Sequence, residues 1–217
     1  LPLLSILQGQ YLLIAGGNEA ASSSTTQLFD FLWFDAASAP PTLPVVPTSL
    51  AAVSTVAWLV NASGATYFDF SNSGQLAVTL PDGGSIADVA GGATIVDDSG
   101  IEYIVGGTRA SGAPSATVLK IDTTDTSNSS YPYGVPSWIT LTTPRLGAAA
   151  AWVVGRGLVV AGGNTDPSGA GVEVLASGAT TSTPLPSAAL MPASALTATP
   201  AGQAVPAVPS GGWQTWA

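Results

Sequence analysis

The 217-residue sequence contains no cysteine and no histidine. Without thiols there are no disulfides and no thiolate metal sites, so an oxidising compartment would leave no mark here. Without imidazole there is no Ser-His-Asp triad, no Cys-His pair and no histidine general acid. Zinc and copper centres built on imidazole or thiolate are excluded with them. Positive charge is almost as scarce. Lys120, Arg109, Arg145 and Arg156 stand against 13 acidic residues, for a net charge of −9. Four cations do not make a phosphate-binding track or an electrostatic dock on anionic lipid, so no nucleic-acid partner is expected. Only 8% of residues are charged, against about 25% in ordinary domains. The apolar runs fall well short of the ~20 residues that span a bilayer, and no membrane insertion is expected. No basic segment followed by an apolar one opens the chain, so no secretory leader is read.

What the sequence has in plenty is glycine, at 25 residues, and proline, at 17, set among 46% hydrophobic residues. They are arranged in a repeat. From Arg145 a small-residue apolar run, Leu146–Val154, leads to the turn Gly155-Arg156-Gly157. A second run, Leu158–Ala161, stops at Gly162-Gly163, and a third follows at Val172–Leu175. Each run has strand length and each joint is glycine. An alanine-rich helix over Leu146–Val154 is the alternative, but Trp152, Val153, Val154 and the flanking glycines favour a strand. Glycine pairs also close apolar runs at Gly16-Gly17, Gly106-Gly107 and Gly211-Gly212, with a degenerate copy near Asn61. The spacing is two steps of 45 residues, then 56, then 49. Short strands in units of ~40–50 residues are the mark of propeller blades, because a lone twisted sheet buries neither face and radial stacking buries both.

Taken in order, the pattern predicts three strands within Leu1–Phe31, with Trp33-Phe34 at the end of the third. A Pro-rich segment, Ala36–Pro47, carries an edge strand at Thr42–Val46. The degenerate unit is read as strands Ala51–Val60, Thr66–Phe70 and Gln75–Leu80, closed by the turn Pro81-Asp82-Gly83-Gly84. Ile86–Ile95 and Ile101–Val105 form a hairpin through Asp97–Gly100. Ser115–Ile121 and Trp138–Leu141 follow, separated by the polar insertion Asp122–Val135. Residues 188–217 hold the poorest pattern and are read as a partial unit or a loose tail.

The segments YLLIAGGN (Tyr11–Asn18), EYIVGGT (Glu102–Thr108) and LVVAGGN (Leu158–Asn164) resemble the second strand of the kelch repeat with its double glycine. Arg145, Val172–Leu175 as a third strand and Trp138 before Leu141 as a fourth match the same repeat. The resemblance is to galactose-oxidase-like and secreted bacterial kelch proteins. It covers three units well and two poorly. It implies an all-β fold, a single propeller domain over 1–217 built of four-stranded antiparallel blades. These would lie near 1–45, 46–85, 86–145 and 145–187, with a partial blade over 188–217. The copper chemistry of galactose oxidase has no counterpart, since its histidine and cysteine are missing. Four blades and a remnant do not close neatly, so an incomplete ring is expected. Such a ring is a fragment, or is completed by another chain or by self-association through exposed sheet edges.

Candidate sites are few. A glycosidase needs two convergent carboxylates, and Asp69, Asp88, Asp97, Asp98, Glu102 and Glu173 are the candidates, most of them in turns or on strand faces. Asp122 with Asp125, and Asp97 with Asp98, offer oxygen ligands for Ca²⁺, with Asx turns as the plainer reading. No metal and no cofactor is expected. Asn61-Ala62-Ser63 and Asn128-Ser129-Ser130 match the glycosylation acceptor pattern. Trp33, Trp58, Trp138 and Trp152 read as core. Trp213 and Trp216 lie outside the repeat and read as a cap or a partner surface. Tyr131 and Tyr133, on the polar insertion, are the aromatics expected at the surface, where a rigid scaffold presents a binding loop. The sequence therefore points to a non-enzymatic extracellular, cell-surface or periplasmic module that engages a protein or glycan. A carbohydrate-active enzyme using carboxylate and tyrosine, and a subunit of a larger surface assembly, are the alternatives.

Overall fold

The structure is a computed structural model. It describes backbone at 2–7, 11–16, 26–30, 35–36, 196–198 and 204–206. Backbone and side chains are described across 43–185, apart from side chain 53 and residues 54, 71, 73, 110, 126 and 164–170.

The described chain is all-β apart from one short 3-10 turn, Ile86–Val89. Sixteen strands form four antiparallel four-stranded sheets, each a simple meander in chain order. Sheet 1 holds β1 (Pro2–Leu7), β2 (Tyr11–Gly16), β3 (Thr26–Asp30) and β4 (Asp35–Ala36). Sheet 2 holds β5 (Ser49–Val53), β6 (Val56–Asn61), β7 (Gly64–Asp69) and β8 (Gly74–Val78). Sheet 3 holds β9 (Ala93–Val96), β10 (Glu102–Val105), β11 (Ser115–Asp122) and β12 (Val135–Arg145). Sheet 4 holds β13 (Ala149–Val153), β14 (Gly157–Ala161), β15 (Val172–Leu175) and β16 (Thr183–Pro184). A last hairpin pairs β17 (Leu196–Ala198) with β18 (Ala204–Pro206). The first strands lie against one another in sequence: β1 on β5, β5 on β9, β9 on β13 and β13 on β17.

This stacking explains the composition of the second strands. A sheet covered on both faces needs continuous apolar strands rather than alternating ones. Val56–Val60 on β6 and the whole of β10 are buried on both faces. One core lies between sheets 2 and 3, where Trp58, Val60 and Tyr67 meet Ile104, Leu119 and Ile121. Another lies between sheets 3 and 4, where Tyr103, Val118 and Leu141 meet Leu158, Val160 and Leu175. Each such side chain contributes about 1.5–3 kcal/mol of burial.

The double glycines occupy one structural position. Gly106 and Gly107 follow β10 with φ of 65° and 132°, and Gly162 and Gly163 follow β14 with φ of 65° and 91°. A Cβ on Gly106 would lie 2.8 Å from the Arg145 carbonyl oxygen, and one on Gly107 would lie 2.8 Å from that of Ala90. Gly16 ends β2 in the corresponding place.

Several local expectations need correction. Ala51–Val60 is two strands, β5 and β6, because Thr55 sits in a turn. The unit read as degenerate is thus a regular four-stranded sheet. Leu43–Val46 is not a strand; β4 supplies the edge of sheet 1, and buried Leu43 packs with Leu50, Leu59 and Phe68. Ile86–Val89 is helical, and the strand begins only at Ala93, after Gly91 with φ of 77°. β12 is longer than Trp138–Leu141. It includes Pro136 and Pro144, which an edge strand accepts because a residue there need not donate an N–H to a ladder on both sides. Leu146–Val154 contains strand β13 and no helix. Trp33 and Phe34 lie outside the described residues.

Candidate binding groove

The insertion between β11 and β12 is built from successive side-chain-capped turns. Asp122 Oδ1 accepts from the Thr124 amide at 3.2 Å and its hydroxyl at 2.6 Å. Asp125 Oδ1 accepts from the Ser127 amide at 3.0 Å and its hydroxyl at 2.6 Å. Asn128 Oδ1 accepts from the Ser130 amide at 2.9 Å. Short polar side chains bonding two residues ahead are what make such a loop regular without a sheet ladder. The Thr124 hydroxyl holds the Asp122 carboxyl below its usual range, and the Ser127 hydroxyl does the same for Asp125. Among the described residues no three metal-ligating side chains converge. Asp97 is likewise a turn cap, accepting from the Ser99 and Ile101 amides at 2.8 and 2.9 Å.

The two tyrosines of this loop play different parts. Tyr131 is an anchor: its hydroxyl donates to the Thr79 carbonyl, just beyond β8, at 2.8 Å. Tyr133 is the exposed aromatic, at 38%. Its carbonyl accepts from Trp58 Nε1 at 3.2 Å, and its ring stands edge-on to Tyr67, with centroids 5.2 Å apart. Trp138 Nε1 adds a bond to the Pro81 carbonyl at 2.8 Å. Two polar contacts and a ring contact thus pin the loop of sheet 3 against sheet 2, and Trp138 of β12 adds a third polar contact beside them.

Between this loop and the β7–β8 hairpin lies a groove of about 230 Å³. Tyr67, Asp69, Asn72, Gln75, Leu76 and Tyr133 give it its chemistry. Asn72 braces the hairpin: its amide donates to Asp69 Oδ2 at 2.9 Å, while its Oδ1 accepts from the Gly74 amide at 2.6 Å. Tyr67 belongs to the core and is only 2% exposed, yet its hydroxyl has no hydrogen-bond partner among the described residues. Burial pushes this phenol far above its ordinary range, and the neighbouring Tyr131 and Tyr133 add to the shift.

Of the residues expected at a site, the structure brings Tyr133 and Asp69 to one groove and makes Tyr131 its anchor. Asp122 and Asp125 stay in loop turns. Trp213 and Trp216 lie outside the described residues. Glu102 and Glu173 are fully buried, Glu173 against Arg145. Tyr67 was missed, though a tyrosine on an apolar inner strand always raises the question of where its hydroxyl goes. No signal in the sequence marks Asn72 or Gln75.

No family model matches the sequence, and no curated protein matches it either. Among solved structures, the chain is similar to PorZ, described as an essential bacterial surface component of the type-IX secretion system of Porphyromonas gingivalis. The identity is 15% and the TM-score 0.45, over 88% of this chain. The match spans 22% of the length of that protein.

Proposed function

We propose that the chain is a kelch-type β-propeller array that binds glycans through the groove between its second and third sheets, without transforming them. The observation that carries this reading is the groove itself. It offers a half-exposed aromatic face, Tyr133, beside the hydrogen-bonding side chains of Asp69, Asn72 and Gln75. A sugar presents C–H faces and hydroxyl edges, and this pairing suits both. A few oriented polar groups in an otherwise apolar recess are what give small-ligand sites their specificity. Successive meander sheets stacked through their first strands, with double glycines in one position, support the propeller reading. Burial of both described glutamates supports binding over hydrolysis. A cysteine-free composition poor in lysine suits a place outside the cytoplasm or on the cell surface.

The test is a glycan array with the purified chain, followed by incubation of each bound glycan and analysis of reducing ends. Binding without new reducing ends, lost in Tyr133→Ala, is expected. Released product, or a bound glycan unaffected by Tyr133→Ala, would sink the proposal.

A second reading, a subunit of a surface assembly, is favoured by β8. This edge strand is exposed along Gly74–Ala77 and carries Leu76 at 52% exposure. Free strand edges pair with other chains. Light scattering that gave a defined oligomer, dispersed by Leu76→Lys, would support that reading.

A further inference from the structure

We infer that the chain dimerises by pairing β8 of one copy with β8 of a second, antiparallel, so that two copies of sheet 2 join into one continuous sheet. This inference rests on the surface-assembly reading above and names its partner. It starts from a difference among the outer edges of the sheets. A free edge is a template for another strand, and folds blunt it with proline, charge, short length or a cover. β4 and β16 have two residues each and β18 has three, and both β16 and β18 end in proline. β12 is long, but it contains Pro136 and Pro144, and sheet 4 covers it. Thr181 bridges to Thr140 in parallel, the Thr140 amide donates to the Thr180 carbonyl at 3.2 Å, and the Thr142 amide donates to the Ser182 hydroxyl at 2.7 Å. β8 has none of these devices. It is five residues long, exposed along Gly74–Ala77 and free of proline, and no charged residue stands between Phe70 and Leu80. Tyr131 and Trp138 reach this edge only beyond its end, at the Thr79 and Pro81 carbonyls. Among the described residues no strand pairs with its outer side.

Three features favour a second copy as the occupant. The chain carries a net charge of −9, so two copies repel each other unless they meet on an uncharged strip, and β8 is such a strip. The strand is also its own complement. Antiparallel pairing of all five residues sets Gly74 against Val78 of the other copy, Gln75 against Ala77, and Leu76 against its own counterpart, with no charge opposed to charge. Leu76 gains most, because it is 52% exposed in the single chain. Directly opposed residues of an antiparallel pair lie on one face, so the two leucines cover each other. Leu76 also lines the groove, and both grooves therefore open on the same face of the joined sheet. The contact is isologous, and it closes with two copies because pairing consumes the edge on which it depends. Five paired residues are few beside the ~20–30 per side of a standard interface, so a dissociation constant on the order of micromolar is expected.

Sedimentation equilibrium of the full chain tests this with the parent, Leu76→Lys and Leu76→Glu. The parent should dimerise. Each variant alone sets like charges opposite each other and should self-associate at least about tenfold more weakly. An equimolar mixture of the two sets lysine against glutamate and should recover the dimer to within about threefold of the parent. That rescue requires residue 76 to face its own counterpart. Variants that dimerise as well as the parent overturn the inference, and so does a mixture that stays monomeric. In both cases the oligomer of the parent leaves the assembly reading standing. A parent that stays monomeric at roughly millimolar concentration overturns both. Hydrogen exchange needs no variant. The amides of β8 should exchange more slowly as the parent is concentrated, while those of β12 stay the same, and β8 amides indifferent to concentration overturn the inference.

Discussion

Arg145 and Glu173 form a buried ion pair across the junction of sheets 3 and 4, with Arg145 Nε donating to Glu173 Oε1 at 2.6 Å. The pair is embedded in further bonds. Arg145 Nη1 donates to the Gly162 carbonyl. Glu173 Oε2 accepts from the Ser182 hydroxyl and, at 2.8 Å, from the Thr142 amide. The last residue of β12, the third strand of sheet 4 and the double glycine are thereby tied at one point.

Removing one partner should therefore cost far more than the pair is worth. Glu173→Leu leaves a guanidinium buried without its counter-charge, a loss of about 3–5 kcal/mol. The double variant Arg145→Met with Glu173→Leu should recover most of it, since apolar replacements of buried pairs are often near neutral. Urea unfolding of the two variants and the parent measures this. A double variant no better than the single one would be evidence against the argument.

Glu102 makes the opposite case. It occupies the place in β10 that Leu158 fills in β14, four residues before the double glycine. Its two carboxyl oxygens are buried with no hydrogen-bond partner among the described residues. Burial pushes its carboxyl from 4.5 up to about 8. The folded protein thus keeps a proton that the unfolded chain releases from about pH 4.5 upward. Since the unfolded state binds fewer protons in that window, stability falls as pH rises from about 4.5 to about 8, by at most about 1.4 kcal/mol per pH unit. Glu102→Leu should remove this dependence and raise stability at pH 8. Urea midpoints at pH 5 and pH 8.5 check it, and a variant with the same pH slope as the parent would count against Glu102.

Gly107→Ala should be costly and Gly64→Ala nearly silent. Gly107 has φ of 132° and a Cβ there would strike the Ala90 carbonyl, whereas Gly64 has open space around its Cβ. The strained backbone alone costs on the order of 1–3 kcal/mol. Thermal denaturation separates the two, and equal melting temperatures would refute the reading of the double glycine as a packing requirement.

The repeat was legible because its cause is local. Glycine pairs are forced by a positive φ and by a carbonyl packed where a Cβ would sit, and that requirement shows at fixed spacing. The second strands were legible because burial on both faces makes them uninterrupted apolar runs. The boundary inside Ala51–Val60 was not, because alanine and valine continue on both sides of the turn at Thr55. The groove was only half legible. Tyr133 stands out as an aromatic on a polar insertion, and Asp69 as a carboxylate near a turn. Tyr67 becomes part of a site only because the loop of one sheet is laid on the next, a contact between residues 67 and 133 that no local pattern encodes.

That contact gives the last prediction. Tyr131 spans from the loop of sheet 3 to the Thr79 carbonyl just beyond β8, and Tyr133 two residues later forms the wall of the groove. Tyr131→Phe removes only the hydroxyl. The bond lies near solvent, so water can replace it at the carbonyl and the global cost should be small, about 0.5–1.5 kcal/mol. The local cost should be larger in relative terms, because loops open with far less free energy than the sheets that carry them. Hydrogen exchange is the fitting measurement. The amides of Tyr131 and Gly134, bonded to the Asn128 and Tyr131 carbonyls at 2.8 and 3.3 Å, should exchange several-fold faster in the variant. Those of β10 and β11 should be unchanged. Uniform acceleration across sheet 3 would mean that Tyr131 supports the whole sheet, and unchanged exchange in the loop would mean that the Trp58 and Trp138 bonds hold it without Tyr131.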